Sequence, residues 1–200
     1  MKKSDTTIYI IRHGELNNPK NVLYDRELNF SLSKIGRKHI KKLAEKLKKF
    51  GADPFCIYSS PLLRTKQTSL IIKKIFNLRE IILDIRLLEV DSRGVAGNPL
   101  AMHKYFTYQN SGKGYWMEAP KKQAKRIRDC IRDIRKKYSG KTVFVVSHGD
   151  PLAFGIYTLV NPKKKFPTID FLEKHFYFKK AQAFKLVFDS KGRMIEDRFL

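Results

Sequence analysis

Two histidines and two arginines in this chain stand where folding alone gives no reason for them. "IYIIRHGE" (Ile8–Glu15) is an apolar run that stops on Arg12 and His13, and "VFVVSHGD" (Val143–Asp150) stops in the same way on His148. Between them, "YSSPLLRTKQT" sets Arg64 near a helix start and "RLLEVD" presents Glu89. This inventory suits phosphoryl transfer. Arginine forks bind phosphate oxygens bidentately and neutralise charge that spreads over them in the transition state. A neutral imidazole can take the phosphoryl group, which splits one hard displacement into two easier ones. Neighbouring arginines disfavour imidazolium and so keep that nitrogen nucleophilic. A carboxylic acid can protonate the leaving alkoxide and then act as base on water. No metal is required by this chemistry, no ligand spacing suggests one, and no cofactor is expected.

Asp150 follows His148 by two residues and is a second candidate for the acid. Its alternative task is to cap the helix that follows, with Pro151 at the first helical position, and that is the preferred reading. The glycine after each histidine would let the backbone turn sharply and approach a ligand closely. Glu15 is expected in the polar surround, and His39 on a solvated helix face.

The elements that must position these residues alternate along the chain. "TTIYII" reads as a strand buried on both faces; a helix runs from a cap at Ser33 to about Phe50. "PFCIYSS" is a second strand, followed by a helix with Pro61 in its first turn. "EIILD" gives a third strand. A basic helix from about Pro120 leads to "TVFVVS" and a further helix, and the tail holds two strand candidates joined by "SKG". Alternating strands and helices predict an α/β domain with a mostly parallel central sheet flanked by helices in three layers. Ligands of such sheets bind beyond the carboxyl ends of the strands, where the four clusters fall. Residues 1–200 are expected to form a single domain with an irregular lid at about 91–118, the length of a functional loop. Tyr105, Tyr108, Tyr115 and Trp116 are read as a small satellite core under that lid, in preference to its ligand-facing lining.

"RHGE" after a buried strand, "LSKIG" at a helix start, "YSSPLLRTKQT", "RLLE" and "VVSHGD" occur in the order of the histidine phosphatase superfamily, which includes the phosphoglycerate mutases, and the chain resembles that family over about Ile8 to Leu152. The resemblance implies a phosphoglycerate mutase-like fold and a phosphomonoesterase working through phosphohistidine on His13. It implies a phosphate pocket of Arg12, Arg64 and His148, and Glu89 as proton donor and acceptor. Where the family has an asparagine after "RHGE", this chain offers Asn17 or Asn18 as a displaced phosphate contact. The motifs around the lid are reduced to "GVAG" (Gly94–Gly97) and "MEAP", which keeps Glu118. A cofactor-dependent mutase is the alternative, but between Gly94 and Pro120 the chain carries Lys104 and Lys113 and no arginine to clamp a second anionic group. An inactive relative serving as a polyanion-binding scaffold is a third reading, opposed by the retention of all four pocket residues.

Composition bounds the rest. Apolar residues make up 42% and aromatics 12%, as in globular proteins with a packed core. Cys56 and Cys130 lie in apolar contexts and read as core residues of a reducing compartment. The N-terminal stretch lacks the apolar core of a signal peptide and no run would span a bilayer, so a cytoplasmic location without membrane attachment is expected. With 42 Lys plus Arg against 19 Asp plus Glu, the net charge is +23. Such a charge attracts polyanions and speeds encounter with any phosphorylated substrate. The basic residues lie on the outer faces of two amphipathic helices with no aromatics interleaved, which argues against specific nucleic-acid binding. A phosphorylated small molecule is the expected partner; the oligomeric state is open.

Overall fold

The structure, a computed structural model, describes residues 4–27, 29–93, 96–99 and 116–200. Four parallel strands build its centre: β1 (Thr6–Arg12), β2 (Pro54–Ser59), β3 (Ile81–Leu83) and β6 (Thr142–Ser147). The tail supplies the antiparallel pair β7 (Ala183–Phe188) and β8 (Met194–Phe199), giving the six-stranded order β3-β2-β6-β1-β7-β8. Two short strands, β4 (Ser92–Arg93) and β5 (Trp116–Met117), pair separately.

β1 and β6 are buried on both faces, and their alternating side chains feed two cores. Ile8, Ile10, Val143 and Val145 pack with Ile127, Ile131 and Ile134 of α3 (Pro120–Lys137) and with Leu152 and Ile156 of α4 (Gly149–Val160). Tyr9, Ile11, Phe144 and Val146 pack on the opposite face with Ile40, Leu43 and Leu47 of α1 (Lys34–Lys49) and Ile72 of α2 (Leu63–Phe76). Helices thus cover both faces of a largely parallel sheet, the three-layer α/β arrangement that the alternation predicts. A seven-residue helix, α5 (Ile169–His175), was not foreseen; its one buried residue is Leu172.

Ser33 caps α1 as expected, its hydroxyl accepting from the Gly36 amide. Two other helix starts differ from expectation. α2 begins at Leu63 with Leu62 in the cap position, so Pro61 precedes the helix. α4 begins at Gly149 with His148 as its cap residue, so Asp150 lies inside the first turn and is not the cap. Cys56 and Cys130 are both buried and unpaired. The expected lid falls largely on residues 94–95 and 100–115, outside the described residues, as do the side chains of Tyr105, Tyr108, Tyr115 and Trp116.

Candidate active site

The site forms where β1, β2 and β6 end. β1 and β6 are hydrogen-bonded in register with Arg12 opposite Ser147, so His13 and His148 leave the sheet side by side. Their ring centroids are 5.2 Å apart and both side chains are fully buried. The Gly14 carbonyl, 2.7 Å from His13 Nδ1, accepts a hydrogen bond from that nitrogen, which therefore carries the ring's proton. This fixes the tautomer and leaves the Nε2 lone pair available. Nε2 is buried and meets no partner among the described residues. Burial first, then the charges of Arg64 and Arg12, push the His13 pKa well below the usual 6.5. The imidazole is therefore neutral at physiological pH.

His148 is held differently. Its Nδ1 accepts from Arg64 Nε at 3.2 Å, so the proton sits on Nε2, which donates to Ser60 Oγ at 2.9 Å. Burial and the neighbouring Arg64 charge keep this ring neutral as well. Arg64 is the largest fully buried side chain. It also donates to the carbonyls of Asp25 (2.5 Å) and Glu27 (3.3 Å) and stacks over Tyr24, its Cζ 5.1 Å from the ring centre. Arg12 donates from Nη1 to the Phe178 carbonyl at 2.7 Å and lies over the Tyr177 ring, while its buried Nε has no partner among the described residues. Two consecutive residues thus each leave one buried nitrogen unsatisfied: a donor on Arg12 and a lone pair on His13. Buried polar atoms are rarely left so without a functional reason.

The remainder of "YSSPLLRTKQT" builds the support. Thr68 Oγ1 donates to the Arg64 carbonyl and accepts from the Gly14 amide, tying α2 to the turn after His13. Thr65 donates to the Ser60 carbonyl, and Gln67 accepts from the Leu32 amide. The glycines have a different role from the one expected. A Cβ on Gly14 would lie 2.8 Å from the Gly36 carbonyl oxygen, and one on Gly149 would lie 2.5 Å from Tyr177 Oη and 2.9 Å from Arg12 Cζ. They are required by close packing within the protein around the site.

Glu89 is 8% exposed and reaches into the cluster, its Oε2 3.5 Å from His148 Nδ1 and 4.0 Å from Arg64 Nη2. Burial raises its carboxyl from the usual 4.5 to about 7, against the opposing pull of Arg64. A carboxyl that still carries its proton near neutrality can serve as a general acid. Asp150 instead accepts a short hydrogen bond from Tyr177. The backbone that carries Glu89 is clamped by Arg126, which donates to the carbonyls of Arg86, Leu88 and Glu89 at 2.7, 2.5 and 3.1 Å. Glu118 holds Arg126 in a two-pronged pair at 2.8 and 2.9 Å. Arg26 also donates to the Glu89 carbonyl, at 2.9 Å.

Arg12, His13, Arg64, Glu89 and His148 are therefore brought together. Asn18 is not: its amide donates to the Val22 carbonyl and accepts from the Val22 amide, closing a loop. Asn17 is exposed on that loop. Glu15 accepts from Ser33, and His39 is exposed, both as expected. Sequence reasoning missed Tyr24, Tyr177, Ser60 and Arg126. Ser60 stood inside a quoted motif, whereas Arg126 was read as part of the solvated basic face of its helix and in fact turns inward.

His13, Glu89 and His148 also offer three ligand-type atoms within 4.8 Å of one another, a grouping that sequence spacing did not suggest. Their surroundings suit an anion better than a cation. Arg64 already donates to His148 Nδ1, and two guanidinium groups border the cluster.

A site of this kind, beyond the carboxyl ends of a parallel sheet, with a neutral histidine beside two arginines, defines a phosphoryl-handling α/β protein. The chain belongs to the histidine phosphatase superfamily, branch 1, whose family model matches residues 8–174. It is 32% identical over 160 residues to a metal-independent phosphoserine phosphatase of Arabidopsis thaliana, a match covering 74% of this chain and 66% of that protein. It is also 32% identical over 157 residues to phosphoserine phosphatase 1 of Hydrogenobacter thermophilus, covering 72% of each. In fold it resembles a phosphoserine phosphatase of Entamoeba histolytica solved with 3-phosphoglyceric acid, with a TM-score of 0.74, 21% identity and coverage of 97% and 96%.

Proposed function

We propose that the protein is a metal-independent phosphomonoesterase that works through a phosphohistidine on His13, with phosphoserine as its first candidate substrate. The observation that carries this reading is that Nε2 of a buried, neutral His13 and the neighbouring Nε of Arg12 meet no partner among the described residues. The phosphoryl group lies between Arg12, Arg64 and His148. His13 Nε2 attacks phosphorus as the ester oxygen leaves, and that oxygen takes the proton of Glu89. The Glu89 carboxylate then removes a proton from water, which attacks the phosphohistidine; phosphate departs and His13 and protonated Glu89 are restored. Glu89 is favoured over Asp150 because its carboxyl faces His148 and holds its proton to about 7. Residues 1–200 act as one domain whose segment at about 91–118 selects the substrate. Phosphoserine is the substrate for which the plant and bacterial relatives are named. Both relatives are named as phosphatases, which favours hydrolysis over the mutase and scaffold alternatives. A cytoplasmic location belongs with this reading, supported by the two unpaired buried cysteines. No described helix is long and apolar enough to cross a membrane.

The test is phosphate release from phosphoserine in the presence of EDTA. Wild-type turnover that disappears in His13→Ala is the expected result. Equal turnover by the variant would refute the nucleophile, and dependence on added metal would refute the mechanism.

A further inference from the structure

A second concave site lies along α3, apart from the catalytic cluster. It is a groove of about 620 Å³, and five of its lining side chains are cationic: Lys121, Lys125, Arg128, Arg132 and Arg135. Their spacing of four, three, four and three residues places them in one stripe, on the order of 20 Å long at the rise of an α-helix. Like charges at these spacings weaken a helix, so the stripe is held at a cost to α3 itself. One lining carboxylate, Asp129, opposes the five, and it already pairs with Lys125 and Arg132. Arg126, which faces the catalytic acid, is not among the lining residues.

The shape of the groove selects the kind of anion. Of its apolar lining residues, Ile131 and Phe188 are recessed, 1% and 5% exposed, and Leu159 is half-buried. A flat anionic bilayer would meet the cations but gain no apolar contact with recessed side chains. A stripe of this length also exceeds the reach of one nucleotide's phosphates. A flexible strand with regularly spaced phosphates matches both the length and the concavity.

We propose that the α3 groove binds a single-stranded nucleic acid through its phosphates, independently of sequence. Two of the cations are fixed in place for this. Arg128 donates to Thr158 Oγ1 at 2.7 Å, and Arg135 donates to the Gly192 carbonyl while lying over the Phe188 ring. Lys121, Lys125 and Arg132 are exposed and adjust to the strand. Phe188, the aromatic residue of the lining, is buried and covered by Arg135, which removes base stacking and with it base preference and leaves a salt-sensitive electrostatic interaction.

The experiment is fluorescence anisotropy of a labelled twelve-residue oligouridylate titrated with the full chain over a range of salt. Contact with about four phosphates predicts a slope of roughly −3 in log K against log salt. Lys121→Ser/Lys125→Ser/Arg132→Ser should weaken binding at least about tenfold, with phosphatase turnover unchanged. Lys38→Ser/Lys42→Ser/Lys49→Ser, which removes the same charge from the exposed face of α1, should weaken it less than about twofold. Equal loss in both triple variants would overturn the proposal in favour of net charge alone. Tighter binding to duplex, to phosphatidylserine vesicles, or to ATP than to the oligouridylate would overturn the choice of ligand.

Discussion

At the scale of single residues, the chemistry rests on two opposite uses of burial. Burial removes a proton from His13 and keeps one on Glu89, in both cases by disfavouring the charged form. The rate profile should therefore fall on its alkaline side near pH 7, as Glu89 ionises, and on its acid side well below pH 6.5. Glu89→Gln should lower turnover of phosphoserine by roughly 10²–10⁴-fold. It should cost far less with p-nitrophenyl phosphate, whose leaving group needs no proton. Stability carries the same signature. Between pH 4.5 and about 7 the folded protein keeps a proton on Glu89 that the unfolded chain has lost, so Glu89's own contribution to stability falls as pH rises through that window, against the opposite contributions of His13 and His148 below pH 6.5. Glu89→Gln should remove that contribution, changing the slope accordingly, and at pH 8 be the more stable protein by up to about 3 kcal/mol in denaturant titrations. An unchanged slope would show that Glu89 ionises normally. The identities of these residues were legible in the sequence because arginine and histidine ending a buried strand have few structural explanations. Tyr24 and Tyr177 were not, since each reaches the site from a distant loop and no spacing links them to it.

At the scale of elements, the helices form as their periodicity requires, but periodicity does not say which polar residue turns inward. Arg126 lies one position from Ile127 on α3 and was indistinguishable from the solvated lysines around it. Its burial follows from Glu118, a motif residue whose purpose the sequence left unexplained. Together they fix the chain from Arg86 to Glu89 and make Arg126 a positioning residue for the acid. Arg126→Ala should lower kcat by up to about 100-fold with little change in KM, and should move the alkaline limb of the pH profile. Arg126→Lys should rescue little of this, because one ammonium cannot serve three carbonyls and a carboxylate. A rise in KM with an unmoved pH limb would contradict the assignment. Helix starts show the same limit: Asp150 and Pro151 look like a cap and first residue, yet α4 begins two residues earlier, with His148 in the cap position.

For the whole molecule, alternation of strands and helices was enough to predict the layered sheet, because β1 and β6 must be covered on both faces and only helices are available to cover them. The order of the strands and the placement of α5 depend on long-range packing that no local pattern records. The net charge of +23 is a property of the entire surface. Self-repulsion at this level destabilises the compact state and is screened by salt. The melting temperature should therefore rise between roughly 0.01 and 0.3 M sodium chloride, while kcat/KM for a phosphorylated substrate falls as steering is lost. A melting temperature indifferent to salt would show that the charges are locally compensated.

The central claim is a covalent bond between phosphorus and His13 Nε2. The most direct measurement is a rapid-quench reaction with ³²P-labelled phosphoserine, stopped in alkali, followed by mapping of the label to a peptide. The expected result is an alkali-stable, acid-labile label on the peptide containing His13 in wild type, absent from His13→Ala and longer-lived in Glu89→Gln. Label on another residue, or turnover in single-enzyme-equivalent reactions without any labelled protein, would contradict it.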